Sequence, residues 1–229
     1  MAYILSLETS SSVCSVALHQ DRQLLSYAEL QMEKSHSSHI TIMVQQVVEN
    51  AGIRLEQVDA VAVSGGPGSY TGLRIGSGTA KGLCYSLDKP LVSVGTLEAM
   101  ARQVISGTPA PNRYLFCPMI DARRSEVYTC LLDHALGEVL PVEPLILEPT
   151  SFARELEKQP IIFFGSGAAK ARALLPPHPN ALWVEDVKPT AKAIGELAFA
   201  KLQAAQLEDV AYYEPFYLKE VYITKPLGK

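Results

Sequence analysis

The sequence lacks the features that would place it in a membrane, in a disulfide-stabilised scaffold or among cysteine-ligated zinc proteins. None of its apolar runs reaches the roughly 18 residues that a transmembrane helix needs. The opening segment, MAYILSLETS, carries no basic stretch ahead of its apolar run, so we expect no secretory signal peptide. Four scattered cysteines without a C-x-x-C pair favour buried thiols in a reducing compartment. We therefore expect a cytoplasmic protein that does not contact membranes.

An excess of positive charge is also missing. Twenty Lys and Arg residues face 24 Asp and Glu residues among the 229, giving a formal net charge of −4. Binding to nucleic acid draws much of its free energy from contacts between cations and phosphates. If the chain serves an RNA, a partner or a local patch must supply most of these contacts.

The first hundred residues follow an α/β pattern. Three apolar runs separated by polar turns predict an antiparallel meander. Helical spacing of apolar residues then predicts a helix from His36 to Asn50, with Ser35 as its N-cap. The predicted elements are strands at 3–9, 13–18 and 24–30, the helix at 36–50, a strand at 58–63, a helix at 71–86 and a strand at 91–94.

The second half repeats this order of meander, helix, strand, glycine loop and helix. Its predicted elements are strands at 114–120, 126–132 and 138–140, a helical segment at 151–158, a strand at 161–164, and helices at 168–175 and 190–205. The aromatic tail at 213–219 is expected to dock on the rest of the chain. Two such α/β lobes, each a mixed sheet with flanking helices, favour the actin-like ATPase (ASKHA, ribonuclease H-like) fold. We place the lobes at 1–100 and 101–229, with helix 190–205 packing back on the first.

The segment from Val61 to Gly78 combines a buried strand, a Gly/Pro loop and a glycine-rich helix. Four helical glycines would together cost about 3–4 kcal/mol relative to alanine, so something must approach this backbone closely. The loop is not a Walker motif, because no Gly-Lys-[Ser/Thr] follows, and its spacing does not match G-x-G-x-x-G. A loop at a helix N-terminus still favours anions, which makes Gly66, Gly68 and Ser69 candidate phosphate-facing residues.

The glycines of the following helix fall on two stripes. Gly72 and Gly76 share a face with Thr79 and Leu83, whereas Gly78 and Gly82 form a second stripe. Small residues allow close approach either to the chain's own sheet or to a helix of a partner. The pattern leaves both interpretations open.

Two further groups are candidate site residues. Glu8, Thr9 and Ser10 occupy the first hairpin turn, where actin-like proteins place an acid and hydroxyls near phosphate and magnesium; a locally hydrogen-bonded turn is the alternative. His36 and His39 share one side of a helix but have no third ligand at metal spacing, so we expect no metal site there.

Four segments resemble the TsaB (YeaZ) family of bacteria. They are Ile4–Ser10, the glycine segment Ser64–Gly76, Ile120–Tyr128 and Pro215–Lys219. The resemblance covers essentially the whole chain and implies the actin-like fold and a role in placing threonylcarbamoyl on tRNA. It also implies a partner, TsaD, the related catalytic subunit.

The resemblance further implies that this chain is not itself the catalyst. TsaD follows its glycine helix with a His-x-x-x-His metal pair, whereas the corresponding stretch here, Ser93–Met100, contains no histidine. The family also implies docking of the two helices of the first lobe on matching TsaD helices, recruitment of the ATPase TsaE, self-pairing when TsaD is absent, and only indirect contact with tRNA. The expected partner-binding residues are His36, His39, Ile40, Met43, Val47, Gly72, Arg74, Ile75, Gly76, Thr79 and Leu83.

One residue departs from the family pattern. Glu8 stands where the family usually has Asp, and its longer side chain changes the reach to any magnesium or phosphate.

We expect no required cofactor, with ATP or ADP confined to the partner interface. The rival interpretation is an actin-like ATPase or small-molecule kinase. Gly76→Leu is predicted to abolish pairing with TsaD while leaving the fold largely intact.

Overall fold

The computed structural model describes residues 1–31 and 36–218, so the predicted cap Ser35 and Lys219, the last residue of the predicted docked tail, lie outside the described residues. The strands are β1 (Tyr3–Glu8), β2 (Val13–Gln20), β3 (Gln23–Gln31), β4 (Ala60–Ser64), β5 (Leu91–Val94), β6 (Leu115–Asp121), β7 (Glu126–Leu132), β8 (Glu138–Ile146), β9 (Ile161–Phe164) and β10 (Ala181–Val184). The helices are α1 (His36–Asn50), α2 (Tyr70–Leu87), α3 (Thr96–Gly107), α4 (Ala153–Leu156), α5 (Ala168–Leu174) and α6 (Ala191–Gln203).

The strands form two five-stranded sheets with the same internal plan. The first sheet has the order β3-β2-β1-β4-β5 and the second has the order β8-β7-β6-β9-β10. In each sheet a three-stranded antiparallel meander precedes two strands that pair in parallel. This repeated order confirms the predicted actin-like fold with two mixed sheets.

One face of the first sheet is covered by α1 and α2. Apolar side chains from β1, β2 and β4, including Leu7, Val16 and Val63, form a common core with α1. Helix α2 begins where the Ser69 side chain accepts a hydrogen bond from the Gly72 N–H, and ends at Asp88 in the left-handed region. The two helices therefore lie side by side on the same sheet face.

Two helices pack across the boundary between the sheets. Helix α3 follows the first sheet but packs on the second, where Met100 meets Phe116 and Phe164. Helix α6 follows the second sheet but packs on the first, where Ile194 lies among residues of β1, β4 and β5. The predicted lobe boundary at residue 100 falls inside α3, so the chain has no linker at that position.

Two elements were not predicted from the sequence, and one is shorter than predicted. Helix α3 was missed because Gly95 and the short β5 strand obscured its start, and β10 was missed because it has only four residues. The helical segment predicted at 151–158 is reduced to the single turn of α4. The other predicted strands and helices are present with ends that differ by at most two residues, except that the strand predicted at 138–140 extends to Ile146 as β8.

The tail after α6 returns along the first lobe. Glu208 forms a β-bridge with Leu91, and Tyr213 is buried in the first core with its hydroxyl 3.0 Å from Ser93 Oγ. The Phe216 N–H donates to the Gly65 carbonyl at 2.7 Å. The described part of the tail is therefore docked, as the sequence predicted.

Candidate functional site

A groove with a volume of about 790 Å³ runs between α1 and α2. It is mostly apolar in its lining, and a few polar side chains line it as well. The lining comes from Thr41, Val44, Gln45, Val48 and Glu49 of α1, from Ile53, Arg54, Leu55 and Glu56 of the following connection, and from Gly78, Thr79, Gly82 and Leu83 of α2. Its two helical walls and mostly apolar lining resemble the grooves in which one protein receives a helix of another.

Gly78 and Gly82 expose helix backbone on this side of α2. A Cβ atom added at either position would meet no heavy atom within 4 Å. The two glycines are four residues apart and so lie on one stripe of the helix, where a second helix could approach the backbone closely. The second glycine stripe is therefore the one that faces outward.

Gly72, Gly76 and Gly68 instead face the first hairpin turn of the chain itself. A Cβ at Gly72 would overlap the Thr9 carbonyl oxygen, and one at Gly76 would overlap Thr9 Oγ1. At Gly68 it would lie 2.5 Å from the Ser10 carbonyl oxygen. Close approach to the chain's own sheet explains these three glycines. The prediction that Gly76→Leu would leave the fold intact is therefore wrong.

The other predicted partner residues divide between the core and the surface. Ile40, Met43 and Val47 are at most 6% exposed and pack in the chain's own core. His36 is buried with its Nε2 2.7 Å from the Ser11 carbonyl oxygen, and His39 is partly exposed. These buried residues, with Gly72 and Gly76, do not present a surface to a partner.

Four predicted partner residues remain accessible on α2. Thr79 and Leu83 line the groove, Ile75 is partly buried, and Arg74 is exposed. Sequence reasoning missed the outward side of α1, represented by Thr41, Gln45 and Glu49. Their spacing of four residues could have identified them, because the neighbouring apolar stripe already fixed the inward face.

The Gly/Pro loop is covered by the tail. Gly66 adopts φ +101°, and a Cβ added there would lie 2.7 Å from the Phe216 carbonyl oxygen. At Gly65 a Cβ would overlap Ser93 Oγ and come within 3.3 Å of the Tyr213 hydroxyl. The Ser69 N–H donates to the Ser10 carbonyl at 2.7 Å. Neighbours within the chain thus already occupy the close contacts of this loop.

The candidate anion-facing residues of the first turn are fully enclosed. Glu8 and Thr9 are 0% exposed and Ser10 is 2% exposed. Thr9 Oγ1 donates to the Gly72 carbonyl at 2.8 Å, and Glu8 Oε1 accepts from the Ser10 N–H. These contacts connect the turn to the start of α2 and leave Ser69, the N-cap of α2, as the exposed hydroxyl of the candidate set.

Burial raises the pKa of the Glu8 carboxyl to about 6, although the hydrogen bond from the Ser10 N–H opposes the shift. Glu8 Oε2, Ser10 Oγ and Ser64 Oγ have no hydrogen-bond partner among the described residues. The carboxyl ends of β1 and β4 therefore enclose a buried polar cluster. Its geometry supports a packed turn more than an open phosphate site.

Within residues 1–31 and 36–218, no group of three or more His, Cys, Asp or Glu side chains is placed to hold a metal ion. In the same residues, no helix is both long and apolar enough to cross a membrane.

Comparison with known proteins matches most of the chain to a family model. Residues 30–224 match the family model described as TsaD: tRNA N6-adenosine threonylcarbamoyltransferase. The chain is 39% identical over 125 residues to a tRNA threonylcarbamoyladenosine biosynthesis protein TsaB of Haemophilus influenzae, a match covering 55% of this chain but only 51% of that relative. It is 29% identical over 201 residues to the TsaB of Bacillus subtilis, covering 85% of this chain and 80% of that one.

A solved structure agrees with these relatives. The solved structure described as YeaZ from Pseudomonas aeruginosa superposes with a TM-score of 0.79 at 25% identity, covering 95% of this chain and all of that one. The resemblance predicted from the four sequence segments is thereby confirmed.

Proposed function

Because this chain belongs to the family of tRNA N6-adenosine threonylcarbamoyltransferase (TsaD), and within it to the TsaB (YeaZ) members, we propose that it is a non-catalytic subunit for tRNA threonylcarbamoyladenosine synthesis. In this role it binds TsaD and activates it. Its curated relatives are named for the same biosynthesis.

The groove between α1 and α2 is the observation that supports this proposal. The family model of TsaD spans both helices, so a TsaD chain has counterparts of α1 and α2. Two related helix pairs can then meet about a pseudo-twofold axis, with each pair entering the groove of the other. The open stripe of Gly78 and Gly82 would let the helices approach closely.

The enclosed first turn favours a partner over an independent enzyme. A kinase or ATPase of this fold would need Glu8, Thr9 and Ser10 to face a nucleotide, yet all three are buried against the chain's own residues. ATP or ADP, where it takes part, would then lie at the interface with TsaD. By the same proposal the complex acts in the cytoplasm, recruits TsaE, contacts tRNA only through TsaD, and is replaced by a homodimer when TsaD is absent.

The test fills the groove with a side chain that the fold can accommodate. Gly82→Leu should weaken co-purification with TsaD by at least about tenfold, since a lost well-packed contact of about 1.4 kcal/mol corresponds to a factor of ten. Gly107→Leu is the matched control, because Gly107 also has open space around it but lies at the end of α3.

The functional readout is modification of tRNA by TsaD and TsaE with and without this chain. We expect little product without the chain, product with the wild type and Gly107→Leu, and reduced product with Gly82→Leu. Wild-type affinity of Gly82→Leu for TsaD would contradict the groove as the docking site. Magnesium-dependent ATP turnover by the purified chain, lost in Glu8→Ala, would instead support the rival enzyme.

A further inference from the structure

Lys81 connects α2 to the C-terminal tail. Its Nζ donates to the backbone carbonyls of Ala211 and Tyr213, each at 3.0 Å. An ammonium has three donors and no acceptor, so two carbonyls presented by one turn of chain are a matched pair of partners. These contacts join residues 130 and 132 positions apart in the sequence.

Three further contacts hold the same tail segment against the first lobe. The Tyr213 ring is 8% exposed and its hydroxyl lies 3.0 Å from Ser93 Oγ. The Phe216 N–H donates to the Gly65 carbonyl, and the Tyr217 ring lies 5.0 Å from the ring of Tyr70 at the start of α2. Residues 208–217, which we call the clasp, therefore follow one flank of α2 from its middle to its first turn.

The clasp lies just beyond one edge of the groove on α2. At about 100° per residue, Lys81 is roughly 160° around the helix from Thr79 and Leu83 but only about 60° from Gly78, the groove residue nearest to it. On the sheet side, Gly72 and Gly76 seat the helix against Thr9. Helix α2 is thus held by the sheet and the clasp, while its groove side remains open.

We propose that Lys81 is a positioning residue for partner docking: it fixes the clasp on α2 and thereby holds the helix in the position that forms the groove. The inference depends on the proposed function, because the groove is the docking site for TsaD. If the groove forms in only a fraction of molecules, the apparent affinity falls by that fraction.

Lys81→Met tests the inference, because it removes the ammonium and keeps a long apolar side chain. Amide hydrogen exchange should accelerate by about tenfold or more in residues 208–217, since charge-assisted hydrogen bonds contribute enough for such a factor. The affinity for TsaD should fall about three- to tenfold. Lys81→Arg, which retains several donors, should restore both in part, and Lys89→Met, two residues beyond α2, should change neither.

Tyr213→Phe provides an independent release of the clasp, because it removes only the hydroxyl that contacts Ser93. It should also accelerate exchange in the clasp and weaken TsaD binding. Faster exchange with unchanged TsaD affinity in both variants would overturn the inference, as would unchanged exchange in Lys81→Met. Failure of the wild type to bind TsaD would contradict the proposed function. Amide hydrogen exchange of residues 208–217 is measured in the free chain, so it tests the role of Lys81 in holding the clasp whether or not TsaD binds.

Discussion

At the scale of single residues, burial of the Glu8 carboxyl makes the stability of the fold depend on pH. Its folded pKa is about 6 against an ordinary 4.5, because burial penalises the charged form. Glu8 therefore contributes most below pH 4.5, and that contribution is lost as the pH rises through 6. A shift of this size corresponds to about 2 kcal/mol.

We expect Glu8→Gln to raise the free energy of unfolding at pH 8 by up to about 2 kcal/mol, with the difference shrinking toward pH 4. The amide oxygen can still accept the hydrogen bond from the Ser10 N–H. Urea unfolding between pH 4 and 8 measures the effect, with the exposed Glu56→Gln as control. A stability difference that does not vary with pH would refute the account.

The glycines illustrate what the sequence could and could not reveal at this scale. The spacing of the glycines indicated that another segment approaches the backbone of α2 closely, and it left the chain's own sheet and a partner's helix as alternatives. The spacing could not show that Gly76 contacts Thr9 whereas Gly78 faces open space, because these environments differ only once α2 packs on the sheet. The contact between Gly66 and the Phe216 carbonyl joins residues that are far apart in the chain, so no local sequence pattern predicts it.

At the scale of elements, the two glycine stripes of α2 should respond oppositely to the same substitution. Gly72→Ala places a methyl group against the Thr9 backbone and should destabilise the fold by about 1–3 kcal/mol. Gly78→Ala meets nothing within 4 Å and should stabilise it by about 0.5–1 kcal/mol through helix propensity. Thermal unfolding of the two variants measures the contrast, and destabilisation of equal size at both sites would contradict it.

Periodicity located α1 and α2 well because each has a long amphipathic pattern, yet the α1 residues that it predicted for a partner lie in the chain's own core. Ile40, Met43 and Val47 form the apolar stripe that the first sheet buries. A surface that binds another helix while staying soluble is more polar, as Thr41, Gln45 and Glu49 are. The spacing of apolar residues therefore identifies the face of a helix that packs in the core more readily than a face that is open to another protein.

At the scale of the whole molecule, α6 packs on the first sheet and also contacts α3, which packs on the second sheet. Gly195 packs against the buried His19 of β2, where a Cβ would overlap the imidazole ring. Gly195→Ala should therefore lower the free energy of unfolding by about 1–3 kcal/mol. The chain has one tryptophan, Trp183 in β10, which stacks on Phe163 and so reports on the second sheet.

We expect the Gly195→Ala transition observed by Trp183 fluorescence to shift together with the transition observed by far-ultraviolet circular dichroism. Coincident shifts follow if damage at the first sheet propagates through α6 and α3 to the second. Two ion pairs link α3 and α6 directly among the described residues: Arg102 with Glu196 at 3.1 Å, and Glu98 with Lys201 at 3.5 Å. A fluorescence transition that stays in place would show that the sheets unfold separately.

The two-lobed plan could be predicted because each half repeats the same order of apolar runs and turns. Helix α6 was expected to pack on the first lobe, whereas the packing of α3 on the second sheet was not predicted. The spacing of apolar residues in a helix does not indicate which sheet its apolar face contacts. Met100 and Ile194 have similar local surroundings in sequence, and long-range packing alone separates their destinations.

The return of α6 and the clasp to the first lobe has a consequence for synthesis. Until residues 191–217 leave the ribosome, the face of the first sheet that bears Ile4, Ala62 and Val92 lacks its covering helix. The N-terminal half of a nascent chain therefore exposes apolar strand surface while the second half is being translated, at about 5–20 residues per second. During those seconds this surface is open to chaperones and to aggregation.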